Sequence, residues 1–398
     1  MFRSLPRTVV ALGVVSLLTD VASEMVYPLL PLLLVGTLGA SAAVVGLVEG
    51  AAESAAAALK LVAGAWSDRV GRRRPFVLWG YGVSSAARPL IGLVASWPAV
   101  LGLRVADRLG KGTRGAPRDA LIAEAVAPER RGEAFGFHRA MDHAGALLGP
   151  LVAAVLLDFA GVGVRELFLW TTVPGALVVV VAVAYVREPP ARDRAAGPRR
   201  PLRAALRSRR PFRRLLGART LFALGNSADA FLLLLLAERG LAAAEVALLW
   251  GLHNGVKMAA AAMGGRWADR WSRRAVLTTG WGVYAAVYAG FAAAPPLAVL
   301  VLVFLVYGVS LGLAEPAEKA LAAGLVDDGS RGAAFGALHG LTALVALPAS
   351  AMFGALWTWV GAPVAFAVGA VLAAAAVAVL QTVDDGDAPG QGRRAVQP

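Results

Sequence analysis

Four acidic residues, Asp20, Glu24, Glu49 and Glu53, and four basic ones, Arg88, Arg104, Arg108 and Lys111, stand inside stretches that are otherwise strongly apolar. The chemistry open to such groups is proton exchange and ion pairing. Glu24 lies one helical turn from Asp20, and Glu49 one turn from Glu53, so each pair shares a helix face. Neighbouring carboxylates in a low-dielectric setting resist ionising together, which leaves one of them able to carry a proton at neutral pH. A guanidinium keeps its charge, so Arg108 can hold or release a carboxylate according to what else is bound. Asp20 and Glu53 are the expected proton carriers, Arg108 their fixed partner and Arg88 a second one. The competing reading is that these acids and bases form structural ion pairs.

Further polar groups surround this set. Arg104, Asp107, Arg108, Lys111, Arg114, Arg118 and Asp119 recur at three- and four-residue steps, a charged stripe down one helix. The stripe either draws an anionic solute inward or is neutralised by the four acids. His138 and Asp142, with Arg139 and His143 beside them, are a proton relay or a polar entrance lining. The later half is quieter, with Asn226, Asp229, His253, Asn254, Lys257 and Glu315 as the expected solute surface. All four lysines, Lys60, Lys111, Lys257 and Lys319, fall inside apolar stretches, although arginine supplies every other basic residue. A titratable or slimmer base fits those positions.

The elements that must hold these groups are membrane-spanning helices. The chain has 398 residues, 58% hydrophobic and 16% charged, more apolar surface than a soluble domain of this length can hide. A spanning helix needs about 20 apolar residues, and twelve such windows are predicted: 8–35, 42–66, 75–96, 98–124, 133–157, 167–186, 214–236, 242–266, 275–294, 297–325, 333–357 and 361–381. The windows are too long and continuously apolar for barrel strands. A charge at this depth costs at least about 2.5 to 3.5 kcal/mol on insertion scales, so each one inside is a candidate functional group. Cysteine is absent, and the four histidines are scattered and match no HExxH spacing, so neither a metal nor another cofactor is expected. The first window is too long for a signal-peptide core and is expected to remain in the mature chain.

Positive charge between the windows sets orientation. Alternate breaks contain Arg69, Arg72, Arg73 and Arg74, then Arg130 and Arg131, then Arg270, Arg273 and Arg274, then Arg331. Four of the opposite breaks, GTLGAS, ASWP, AAAPP and WTWVGAP, carry no charge. Both termini are therefore expected in the cytoplasm, in a multi-pass protein of the inner (plasma) membrane. Residues 187–213, rich in arginine and proline, read as a basic cytoplasmic linker between segments 1–186 and 214–398. The net charge of +13 then reflects loops facing anionic lipid rather than a nucleic acid.

The chain repeats itself at an offset near 200 residues. GAWSDRVGRRR from Gly64 aligns with GRWADRWSRRA from Gly265, and RGEAFG from Arg131 with RGAAFG from Arg331. Asp68, Arg69 and Arg72 thus fall on Asp269, Arg270 and Arg273, while Asn254 falls on Glu53. Two parallel halves of this kind place a solute site near the bilayer midplane and rock against each other.

GAWSDRVGRRRPF resembles the signature loop of the major facilitator superfamily, a glycine, an Asp-Arg pair, a second glycine (Gly71) and basic residues. RLGKGTRGA, from Arg108, is similar to the superfamily's fourth-span pattern, with Lys111 and Arg114 as added charges. Gly136, Gly145, Gly149 and Pro150 resemble the fifth-span motif of drug/proton antiporters, with Ala153 and Ala154 in place of its closing glycines. The resemblance covers essentially the whole chain. It implies an all-α membrane protein of twelve transmembrane helices in two pseudo-symmetric six-helix bundles. It further implies a cytoplasmic gate in which Asp68 caps a helix of the second half, with Arg69 and Arg72 paired to nearby carboxylates. The expected function is secondary active transport of a small organic solute by a monomer that exchanges protons inward for solute outward. The alternatives are a proton symporter or uniporter for an organic anion and, from another class, a membrane-embedded lipid-modifying enzyme, for which no clustered acid/base motif is present.

Overall fold

The computed structural model describes residues 5–127, 130–188, 210–270, 272–326 and 331–383. The side chains of Gly64, Asp68, Asp269 and Arg270 lie outside that description, as does most of the expected linker. Twelve helices run through the described residues: α1 (Arg7–Val26), α2 (Ala42–Val70), α3 (Arg74–Ile91), α4 (Trp97–Ala125), α5 (Arg131–Asp158), α6 (Val164–Trp170 and Thr172–Tyr185), α7 (Arg210–Gly225 and Ala230–Glu238), α8 (Ala243–Arg270), α9 (Arg273–Ala292), α10 (Leu297–Gly324), α11 (Arg331–Trp359) and α12 (Ala362–Leu380). They match the twelve windows to within about five residues, except that the first window runs to 35, through the short turns that follow α1. No strand occurs among the described residues.

Local sequence explains where these helices stop and bend. α2 ends at Gly71, which takes a left-handed φ of 71° and returns its N–H to the Ser67 carbonyl. α9 begins at Ser272, whose hydroxyl accepts from the Ala275 amide at 3.1 Å. Beyond α1, Pro28 and Pro31 remove helical hydrogen bonds, and the chain continues through a tight turn at Tyr27–Leu29 and a wide one at Leu33–Thr37.

Among the described residues, nine candidate spans are long and apolar enough to cross a membrane by length and composition. α4 is not among them, because eight ionisable residues interrupt it. Exposed Val180, Leu302 and Val371 give the helices apolar outer surfaces suited to lipid.

Packing divides the chain into two units, Met1–Arg194 with Ala228–Leu252, and Ala195–Ser227 with His253–Pro398. In the first, α1 lies on α5, while α2 and α3 both lie on α4. Glycine makes these crossings close. A Cβ on Gly80 would stand 2.6 Å from the Gly110 carbonyl, and one on Gly110 would stand 2.6 Å from the Gly80 carbonyl. The second unit repeats the arrangement, with Gly280 against Ser310 and Ala314, and Gly312 against Ala260. Positions 200 residues apart therefore meet in the same way.

The fifth-span glycines divide into two kinds. A Cβ on Gly145 would lie 2.6 Å from the Leu17 carbonyl, and one on Gly149 2.7 Å from the Val21 carbonyl, so α5 touches the backbone of α1 beside Asp20 and Glu24. Gly136 faces open space, so the packing role expected of it is not met. Replacing Gly149 with Leu should lower the melting temperature of the purified protein, by overpacking worth about 1–3 kcal/mol or more. Gly136→Ala should leave that temperature unchanged, and equal losses in the two variants would contradict this account.

Candidate functional site

The charged positions of the first unit converge from four helices. Arg104, on α4, reaches across to α2 and grips Glu49 with both ends of its guanidinium, Nε donating to Oε1 at 2.9 Å and Nη2 to Oε2 at 3.1 Å. Its third nitrogen, Nη1, donates to Oδ2 of Asp107, one turn along, at 3.4 Å. The other oxygen of Asp107 lies 3.0 Å from Nε of Arg88 on α3. Arg88 in turn donates from Nη1 to the Thr19 carbonyl on α1 at 3.2 Å. The Arg104 guanidinium also lies over the Tyr27 ring, 5.4 Å from its centroid. Asp107 has no exposed surface.

Arg114 continues the stripe about two turns beyond Asp107. It donates to the Ser84 hydroxyl at 2.7 Å and stacks over Tyr81 at 4.5 Å, while Ser84 donates to the Asp107 carbonyl at 2.9 Å. Most of the buried arginines are thus held by ion pairs or hydrogen bonds within the unit.

At the edge of this core the pairing thins out. Arg108 lies 3.3 Å from Glu53, whose side chain is 52% exposed. Glu24 accepts a hydrogen bond from the Trp250 indole at 2.7 Å. Asp142 accepts one from the Ser16 hydroxyl and stands 3.5 Å from Nδ1 of His138. Asp20 lies within electrostatic reach of Glu24, Asp142, Lys111 and Arg114. Its carboxylate makes no hydrogen bond or ion pair with a described residue. Lys111 is likewise without a partner among the described residues, and its side chain is exposed.

Several expectations change in this light. Arg88, expected as a partner of the proton carriers, is committed to Asp107, because α3 packs on α4 at that level. Arg69 and Arg72 are exposed, with no ion pair among the described residues. The left-handed turn at Gly71 brings the next two arginines to the helix ends instead. The Arg73 and Arg74 amides donate to the Glu188 carboxylate at 2.8 and 2.7 Å, Arg73 pairs with Glu124 at 2.5 Å, and Arg74 donates to the Val186 carbonyl at 2.7 Å. Nothing in the sequence singles out Trp250, Ser84 or Ser16, whereas Glu124 and Glu188, near basic loops, carried a weak signal.

The second unit fills equivalent positions with rings. At an offset of 200, Ser84, Arg88, Arg104 and Asp107 become Tyr284, Tyr288, Phe304 and Tyr307. Tyr284 and Tyr288 stack at 4.2 Å, and His253 lies 4.9 Å from Phe304 and 5.2 Å from Tyr307. His253 is therefore buried among rings, 1% exposed, and cannot serve as solute surface. Asp229 belongs to the first unit. Asn226, Lys257 and Glu315 share one cavity. Asn226 accepts from the Tyr284 hydroxyl at 3.0 Å, and Glu315 pairs with Lys319 at 2.8 Å.

Arg104→Gln leaves the Glu49 carboxylate buried without its cation and should cost about 3–5 kcal/mol in unfolding measurements. Adding Glu49→Gln should restore part of that loss. A double variant no more stable than the single one would mean that the pair is not the unit of stability.

Comparisons with known proteins agree with this architecture. The sequence profile of the Major Facilitator Superfamily matches residues 12–256 and 215–397. An uncharacterized MFS-type transporter of Methanocaldococcus jannaschii is 31% identical over 378 residues, 93% of each chain. Multidrug resistance protein MdtH of Cronobacter sakazakii is 34% identical over 135 residues, 34% of this chain and 33% of that one. Among solved structures, a bacterial homolog of the human lysosomal transporter Spinster shares the fold, with a TM-score of 0.77 at 17% identity over 96% of this chain and 98% of the other. The nucleoside transporter NupG also shares it, with a TM-score of 0.80 at 13% identity over 94% and 99%. The chain belongs to the major facilitator superfamily and is an all-α, multi-pass membrane transporter, not an enzyme.

Proposed function

We propose that the chain is a proton-coupled exporter of a small organic solute, with Asp20 as the principal proton carrier. One observation carries the reading. Among the described residues Asp20 has neither a hydrogen-bond donor nor an ion-pair partner, whereas Glu49, Asp107, Glu53, Glu24 and Asp142 each have one or the other. Protonating Asp20 therefore breaks no ion pair, whereas protonating Glu49 or Asp107 would dismantle the core. The Arg108–Glu53 pair, exposed on the carboxylate side, is the second element that can open and close. Asp20 stands beside the glycine-lined contact of α1 with α5, so a shift between those helices acts directly on it.

The direction of transport rests on two likenesses, the fifth-span glycine spacing and the partial match to multidrug resistance proteins. In this reading residues 1–186 and 214–398 act as two rocking halves joined by the basic segment 187–213. The chain works in the inner membrane with both termini in the cytoplasm, and the gate residues Asp68, Asp269 and Arg270 hold the cytoplasmic side shut. Lys111, exposed and without a partner among the described residues, favours a second reading, proton symport or uniport of an organic anion.

A deletion strain screened against toxic compounds would supply the solute. In everted vesicles holding a proton gradient, that solute should collapse the gradient, whereas a uniporter would leave it intact. Asp20→Asn should abolish the proton-driven component by more than about tenfold while solute counterflow persists. Loss of both together would assign Asp20 a structural role. Proton entry into whole cells on addition of the solute would instead favour symport.

A further inference from the structure

The second unit contains a cavity of about 290 Å³ between α7, α8, α9, α10 and α11, at the small end of the range for ligand sites. One side is a wall of rings. Phe222 and Trp281 stack nearly parallel, 4.5 Å apart at 13°, and Tyr284 leans on Phe222 at 4.7 Å. The lining also holds ionic groups. Arg219 pairs with Glu318 at 2.9 Å and lies 5.7 Å from the centroid of the Phe222 ring, and Lys319 pairs with Glu315 at 2.8 Å.

The charges do not cancel. Two acids face three bases, and the base left over is Lys257, half-buried on α8, with no hydrogen bond or ion pair among the described residues. A second donor is also unused: Nη1 of Arg219 is buried without an acceptor among them. A half-buried cation without a counter-ion is only partly solvated, and a carboxylate entering the cavity would offset that loss. The ring wall adds a preference for a flat partner, since stacked aromatic faces favour a further ring over a saturated one of equal size. Glu315 and Glu318 are neutralised already, so a cationic solute would meet Lys257 with nothing to offset the repulsion.

We propose that this cavity is a binding site for a small aromatic carboxylate, its anionic group held by Lys257 and its ring laid against Phe222 and Trp281. The inference deepens the transport reading and rests on it for the solute's being small and organic. Asn226, fixed by the Tyr284 hydroxyl, offers a polar contact for a ring substituent. The site uses no residue of the charged core in the first unit.

The test is calorimetric titration of the purified full-length protein with 4-hydroxybenzoate, cyclohexanecarboxylate and benzylamine. The aromatic acid should bind at least about tenfold more tightly than either analogue. Lys257→Gln should weaken its binding by about tenfold or more, and Lys257→Arg should retain most of it. Failure of 4-hydroxybenzoate to bind, equal affinity for either analogue, or an unaltered Lys257→Gln affinity would each overturn the proposal. The melting temperature of Lys257→Gln, measured alongside, separates lost binding from lost folding, and Lys257→Arg carries the test if the glutamine variant unfolds. Lysine-dependent binding without proton exchange in vesicles would remove the antiport reading and keep the site. Proton exchange driven by other solutes, with no binding of the aromatic acid, would do the reverse.

Discussion

Asp107 can sit without solvent inside a membrane bundle only because Arg88 and Arg104 both reach it, and Arg104 can do so only because Glu49 takes the remainder of its charge. An uncompensated charge at this depth would cost several kcal/mol. Arg88 also binds the Thr19 carbonyl, so this one chain of contacts ties α1, α2, α3 and α4 together. The glycine crossings at Gly80, Gly110, Gly145 and Gly149 bring the helix backbones close enough for it to close. With the core fixed in this way, the groups free to change partner are those at its margin, Asp20, Lys111 and the Arg108–Glu53 pair.

The second unit meets the same packing problem with different side chains. Where the first has an arginine, an aspartate and another arginine, the second has Tyr288, Tyr307 and Phe304, the last two against His253. Rings fill the volume and need few polar partners, and the hydroxyl of Tyr288 finds one in Ser227 at 2.7 Å. Duplication preserved the helix crossings and let the two interiors diverge, one toward charge and the other toward flat apolar surface.

Much of this was legible in the sequence. The twelve spans followed from apolar length, and the repeat followed from matched loops, because both are local patterns. The pairing of Arg108 with Glu53 followed from both groups standing at similar depth. Partner choice deeper in was not legible. Arg88 points to Asp107 rather than to Asp20 because of where α3 crosses α4, which depends on the glycine at position 80 meeting the one at 110. His253 resembled an exposed polar residue until its ring neighbours, 51 and 54 positions away in sequence, were in place. The clasp of Arg73 and Arg74 on Glu188 depends on a single left-handed turn at Gly71, and spacing alone pointed to Arg69 and Arg72.

The charge carried by α4 bears on how the protein enters the membrane. With eight ionisable residues, this helix is too polar to partition into lipid by itself. The carboxylates that neutralise Arg104 and Arg108 lie on α2, which the ribosome makes first. The bilayer therefore accommodates α4 together with α2, as a neutralised pair, and not as an isolated helix.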